Sequence, residues 1–280
     1  MRILTFGFLN LNSIPGPAPT PHDVLRASAS AGFRSAGLRI TGRRVEDECL
    51  PIIGNPVAIR ELCSLAEDLG TRISSVAAYG QFPETSIDDY ARAFDTIAEL
   101  GSDLCLMNVY FDDMSAFAER LAALSAISKD RNIRLGLEFM PFSGLKTIQR
   151  TSQVISESAA ENAGYVMDAL HIVRSGGTMD DVKAVDPARI FLAQVCDASH
   201  VGASRTIDEL VDEARNHRAY PGEGEIDLFG FIDALPRDME IEIEVPRLAS
   251  EPISFESRAA ESWQKLHEFL AAYTAARTTV

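Results

Sequence analysis

Glu138, Asp168, Gln194 and Glu244 each end a short apolar run, in IRLGLE, AGYVMD, RIFLAQ and MEIEIE, and each run gives way to turn or loop residues. Three carboxylates and one amide oxygen make a hard, oxygen-only donor set for a divalent ion, Mn²⁺ first, with Mg²⁺, Co²⁺ or Zn²⁺ also able to occupy it. Intervals of 30, 26 and 50 residues separate successive donors, so the first two fit one strand-helix-strand repeat each and the third fits a repeat plus an insertion. In MEIEIEV the alternation sets Glu240, Glu242 and Glu244 on one face and the aliphatic residues on the other. A barrel-facing run of carboxylates is costly unless a cation or a proton compensates. For Glu240 and Glu242 we expect ordinary solvation or pairing near the strand start. Singly, each of the four donors is equally compatible with capping a helix or pairing with an Arg; the set is what points to a metal.

The elements that must position them alternate along the whole chain. Eight β-type runs, at 3–9, 35–40, 72–79, 103–109, 133–138, 163–168, 189–195 and 239–245, are separated by segments of helical period, the pattern of a parallel sheet of β/α repeats. Helices are expected at 22–31, 56–69, 86–100, 115–129, 145–158 and 256–276, with Gly70 and Gly101 ending the second and third. The fold class is therefore α/β, a single (β/α)₈ barrel over residues 1–280, with a helical and loop insertion at about 196–226 that is a candidate lid. Residues ending strands five to eight then converge at the strand C-termini, where barrel enzymes do their chemistry.

Composition excludes several partners. With 41 acidic residues against 26 Lys and Arg, the net charge is −15 and argues against nucleic acid and anionic membranes. The densest basic stretch, Arg39, Arg43 and Arg44, runs at once into Glu46, Asp47 and Glu48. Four scattered cysteines without CxxC spacing read as reduced, mostly buried small hydrophobes. The opening MRILTFGFLNLN is strand-like, no apolar run approaches eighteen residues, and a cytoplasmic location is expected. A homodimer is compatible with the sequence.

Near strand ends, Phe8, Tyr79 and Phe142 are candidates for an apolar wall under a sugar ring, and Arg39 for contact with an acidic substrate group or a barrel carboxylate. Core packing competes with this reading for the aromatics. Arg174 before SerGlyGly reads as a turn in preference to an anion cradle, and His22, His200, His217 and His267 are assigned no chemistry. In order and spacing, LGLEFMP, VMDALHIVRSGG, LAQVCDA, RAYPGEGEID and IEIEVPR resemble the sugar-phosphate isomerase/epimerase branch of the xylose-isomerase-like TIM-barrel superfamily, most strongly over 133–247. That resemblance implies one divalent metal held by Glu138, Asp168, Gln194 and Glu244, with His171 in the substrate site. It also implies that Arg218, four residues before Gly222, reaches substrate hydroxyls. Gln194 departs from the His of the ketose 3-epimerases and matches the related dehydroshikimate dehydratases, while Met140 stands where those dehydratases carry a His. The 24 residues between Gln194 and Arg218 are a second departure.

The expected activity is isomerisation or epimerisation of a ketose or keto-sugar through an enediolate, with Glu138 and Glu244 as base and acid. A small carbohydrate or polyol is the partner. A metal-dependent dehydratase acting on an inosose or dehydroshikimate is the alternative, starting with the same proton abstraction. A DNA-repair endonuclease of this superfamily would need several metals and more His ligands than this chain offers, and a non-catalytic sugar-binding protein would need no stoichiometric metal.

Overall fold

The computed structural model describes residues 2–249 and 251–278. Eight parallel strands close into a barrel in chain order: β1 Leu4–Phe6, β2 Ser35–Arg39, β3 Arg72–Ala77, β4 Leu104–Asn108, β5 Arg134–Glu138, β6 Ala163–Asp168, β7 Ile190–Val195 and β8 Ile241–Ile243. Closure is made by β8, whose Ile241 is in register with Leu4 of β1 on one side and Ala193 of β7 on the other. Around the barrel run α1 Pro21–Ala31, α2 Pro56–Leu69, α3 Ile87–Glu99, α4 Met114–Lys129, α5 Ile148–Ser158, α6 Ala169–Arg174, α7 Met179–Lys183, α8 Ile207–Asn216, α9 Leu228–Ala234 and α10 Phe255–Thr278. Among the described residues no helix is long and apolar enough to cross a membrane.

Local sequence explains the helix ends. Thr20 and Asp23 form a capping box with Pro21 in the first turn of α1, and Ser86 and Asp89 form another for α3; each satisfies backbone amides that the helix leaves without partners. The ring is sealed where α10 packs on α1, with Trp263 edge-on to Phe33 at 4.7 Å between ring centres. Inside the barrel, Gly37 is required by its neighbours: a Cβ there would lie 2.4 Å from Glu242 Oε2 and 2.8 Å from Ser75 Oγ.

Three expected elements differ. The first strand stops at Phe6, because residues Phe8–Leu11 form a 3₁₀ turn in which the buried Asn10 amide donates to Gly7 O and Ile243 O and accepts from Val245 N, replacing strand pairing with side-chain bonds. The eighth strand is only three residues long, so Glu244 sits just past it. The fifth helix begins at Ile148, since Ser143 and the Met140 amide both donate to Leu145 O and hold that residue in a turn. Of the cysteines, Cys105 and Cys196 are buried, but Cys49 is exposed and Cys63 partly so.

Candidate active site

Each donor named from the sequence is placed by the end of a strand. Glu138 is the last residue of β5 and Asp168 the last of β6, while Gln194 sits one residue from the end of β7 and Glu244 one residue past β8. All four are buried. Asp168 also N-caps α6, accepting the His171 amide at 2.9 Å, and this cap is why a His three residues on returns to the same place.

One group of contacts joins Glu138, Asp168 and His171, whose ligand atoms lie within 4.8 Å of one another. Glu138 Oε2 accepts from Asn108 at 2.5 Å, and its Oε1 is 3.6 Å from His171 Nε2. A second group joins Gln194 to two acids: its amide nitrogen donates to Glu242 Oε1 at 2.8 Å and to Glu244 Oε1 at 3.0 Å. Arg218 bridges the groups. Its guanidinium donates to Asp168 Oδ2 at 2.5 Å and lies 3.2 Å from Glu244 Oε2 and 3.5 Å from His171 Nε2.

The electrostatics follow from burial. Removal from water pushes Glu138 up to about 7, reinforced by the charge of Asp168. Burial likewise raises Glu242 to about 8 and Glu244 well above the carboxylate range, although a Gln194 hydrogen bond opposes the first shift and Arg218 the second. At Asp168 burial also pushes upward, but Arg218, His171 and their hydrogen bonds outweigh it and hold the carboxyl below its usual value. Burial lowers His171 to about 4, so its ring is neutral at pH 7.

The donor chemistry fits a divalent ion. Of four buried carboxyl groups, Glu138, Asp168, Glu242 and Glu244, only Asp168 and Glu244 lie within ion-pair distance of Arg218, and ionising the whole set is costly unless a cation such as a divalent ion offsets it. With its nitrogen engaged by two acids, Gln194 leaves Oε1 without a hydrogen bond, and Glu244 Oε2 is also unbonded, its approach to Arg218 lacking hydrogen-bond geometry. Buried polar atoms of this kind call for a partner.

The site opens into a cavity of about 260 Å³ lined by Glu138, His171, Gln194, Arg218 and Glu244, with Phe8, Arg39 and Phe142 also on its wall. Phe142 packs edge-on to the His171 ring at 5.6 Å, and the Arg39 guanidinium covers the Phe8 ring at 4.9 Å. Tyr79 is the exception: it is not part of this wall, and its ring packs edge-on against Tyr90 of α3. The expected lid supplies Ala214, Arg215 and Asn216 to the wall, at the C-terminal end of α8. Its base is clamped by Arg174, which pairs with Glu213 through two 2.7 Å bonds and donates to the carbonyls of residues 199, 200 and 201; Arg174 thus holds the insertion and is not an anion cradle.

Three residues of the site and its supports were not assigned to it from the sequence. Glu242, expected to be solvated or paired near the strand start, is fully buried and bonded to Gln194 and Ser75; the period-two alternation already put it on the face of Glu244, and that signal was the stronger guide. Asn108 ends β4 as Glu138 ends β5, in register with it. Asp197 is buried and accepts from the amides of Ala198, Gly222 and Ile226, tying down both ends of the PGEGE segment that follows Arg218. An Asp in a loop gave no sign of this, because two of its three partners are 25 and 29 residues away.

Comparison with known proteins bears on the fold and the family. A 3-dehydroshikimate dehydratase of Pseudomonas putida is 27% identical over 233 residues, which are 79% of this chain and 34% of that protein. The chain thus spans about a third of the length of that curated relative. An inosose isomerase of Bacillus subtilis is 29% identical over 117 residues, 41% of this chain and 40% of its own. A crystal structure of the IOLI protein with a bound zinc atom superposes with a TM-score of 0.75 at 19% identity, covering 98% of both chains, a likeness of fold. The family model described as xylose isomerase-like TIM barrel matches residues 25–273, from within α1 to within α10, so the chain belongs to the xylose isomerase-like TIM barrel family.

Proposed function

We propose that the protein is a divalent-metal-dependent enzyme that removes the proton beside the carbonyl of a hydroxyketone, isomerising or epimerising a ketose or keto-sugar through an enediolate. One observation carries this reading: Glu138 and Glu244, from strands three places apart around the ring, both face the cavity that Gln194, His171 and Arg218 also line. Glu138, Asp168, Gln194 and Glu244 would hold the ion, and when bound it supplies Lewis-acid stabilisation of the negative charge that develops on the substrate oxygens. These oxygen donors suit Mn²⁺ first, and also accommodate Mg²⁺, Co²⁺ or Zn²⁺.

The side chains supply the proton transfers. Asn108 fixes one oxygen of Glu138, so the other is held in place to take the proton. Glu244, approaching from a different strand, returns a proton to the other face of the same carbon, inverting it, or to the former carbonyl carbon, isomerising the substrate. Arg218 positions Asp168 and sets its charge against Glu244, and His171, neutral and packed on Phe142, presents a ring nitrogen to substrate hydroxyls. Phe8 and Phe142 provide apolar wall.

A second reading is supported by one specific comparison. The Pseudomonas relative aligned over 79% of the chain is named a dehydratase, and Gln194 is the donor by which this chain departs from ketose 3-epimerases. The same abstraction by Glu138 would then be followed by expulsion of a β-hydroxyl, with Glu244 protonating the leaving oxygen. Incubating metal-loaded protein in D₂O with panels of ketoses, inososes and cyclic 3-keto acids tests both readings. Deuterium at the carbon beside the carbonyl is expected, and net loss of water in place of exchange would select the dehydratase. Neither exchange nor dehydration across the panels, in a protein shown to be folded and loaded, would overturn the proposal.

A further inference from the structure

The rim of the cavity carries charge of the opposite sign to its floor. Arg39, Arg43 and Arg215 all line it, and none of the three has a carboxylate within ion-pair distance among the described residues. Arg39 instead lies over the Phe8 ring and makes one 3.4 Å contact with the Ala78 carbonyl; Arg43 faces the Tyr110 ring at 5.9 Å. Arg215 uses only its backbone, accepting from Ser13. The arginines next to them in chain or space do find an acid: Arg44, the next residue after Arg43, pairs with Glu84, and Arg218, on the same cavity wall, with Asp168. In a chain with 41 acidic residues against 26 basic, what sets these three guanidiniums apart is that they line one cavity together without an acid among them. They also work against one another, since after burial the charge of Arg43 is what lowers both Arg39 and Arg215 below the usual guanidinium value. Convergent, unpaired positive charge at the mouth of a polar cavity is what an anion would relieve.

We infer that the substrate is a hydroxy-keto acid, bound with its hydroxyketone at the floor beside Glu138 and Glu244 and its carboxylate at the rim between Arg39, Arg43 and Arg215. The inference rests on the enolisation reading for the floor and adds the ligand of the rim. Guanidiniums match a planar carboxylate through paired hydrogen bonds. Arg215 comes from the last turn of α8, so it contributes a side chain and not the helix N-terminus that cradles phosphates. The cavity, about 260 Å³, suits one monosaccharide-sized molecule.

The test is calorimetric titration of Mn²⁺-loaded protein with quinate, myo-inositol and inositol 1-phosphate, which are ring polyols carrying a carboxylate, no charge and a phosphate. Quinate is expected to bind at least about tenfold tighter than myo-inositol and to lose that advantage as salt is raised. In the double variant Arg43→Gln/Arg215→Gln, whose side chains are exposed and whose fold is checked by melting, quinate is expected to fall to the affinity of myo-inositol. Equal binding of the acid and the neutral polyol, a preference that survives the double variant, or tighter binding of the phosphate would each overturn the inference. Bound metal per chain, measured on the same samples, separates the two readings. A loaded protein indifferent to the carboxylate sinks only the rim assignment, whereas a chain that prefers the acid while holding no divalent ion supports the rim and sinks the floor.

Discussion

Glu240 and Glu244 stand four residues apart on one face at β8, and their surroundings divide the barrel into an end where the carboxylate is satisfied and an end where it is left short of partners. Glu240, at the strand start, is satisfied by the chain itself: Arg72 donates to Oε2 at 2.5 Å, and Thr5 and Ser35 both donate to Oε1. Glu244 shares Gln194 with Glu242, faces an Arg218 that is better engaged with Asp168, and keeps Oε2 without a hydrogen bond. The difference teaches that a carboxylate inside a barrel is structural where neighbouring side chains complete its bonds, and available to a ligand where they stop short.

The sharpest way to break this contrast is to neutralise each end. Glu244→Gln or Glu138→Gln is expected to lower proton exchange by roughly 10²–10⁴-fold while the protein still melts cooperatively, and Glu240→Gln to leave exchange at the wild-type level; comparable losses at both ends would erase the distinction. Stripping divalent ions with a chelator should also abolish exchange, and Mn²⁺ at about a hundred times its dissociation constant should restore it while stabilising the fold by about 2.7 kcal/mol, read as a rise in melting temperature. No thermal response to any divalent ion would remove the metal from the account.

A smaller effect is expected at Asp197. Replacing it with Ala leaves the amides of Gly222 and Ile226 without an acceptor and should cost about 1–3 kcal/mol. Hydrogen exchange should then accelerate in 218–226, the segment following Arg218, and unchanged protection there would show that other contacts hold the loop.

The acidic floor also predicts a pH response of the metal-free protein. Folded Glu138 and Glu242 titrate at about 7 and about 8, above the unfolded 4.5, so the fold keeps protons that the unfolded chain has lost and stability falls as pH rises toward 8. His171, lowered to about 4 from 6.5, acts in the opposite direction, but only below 6.5. The melting temperature should therefore fall between pH 6.5 and 8 without metal, and a saturating divalent ion should flatten the slope; a flat profile without metal would show that these carboxyls are not held protonated. Smallest of all, Glu240→Gln should cost under about 1 kcal/mol, because its partner Arg72 is half exposed and water screens the pair.

Much of the barrel was legible because a parallel strand and an amphipathic helix each leave a periodic mark within a few residues. The capping boxes at Thr20 and Ser86 and the apolar runs before Glu138 and Asp168 are local signals, and they located these elements to within a residue or two. Where a distant partner took over, the local reading failed. Asn10 ended the first strand by bonding to residues beyond 240, and Tyr79, at the edge of a strand, turned to Tyr90 and away from the cavity.

What the sequence by itself determined is the repeat, the direction of the strands and the residues that end the fifth, sixth and seventh of them, since all of these depend on short-range periodicity and on caps. Only the tertiary structure decided which charges are shared. Burial and hydrogen-bond completion are properties of neighbours brought together by closure of the ring, and so the separate fates of Glu240, Glu242 and Glu244, the bridging by Arg218 and the unpaired arginines of the rim became visible only in three dimensions.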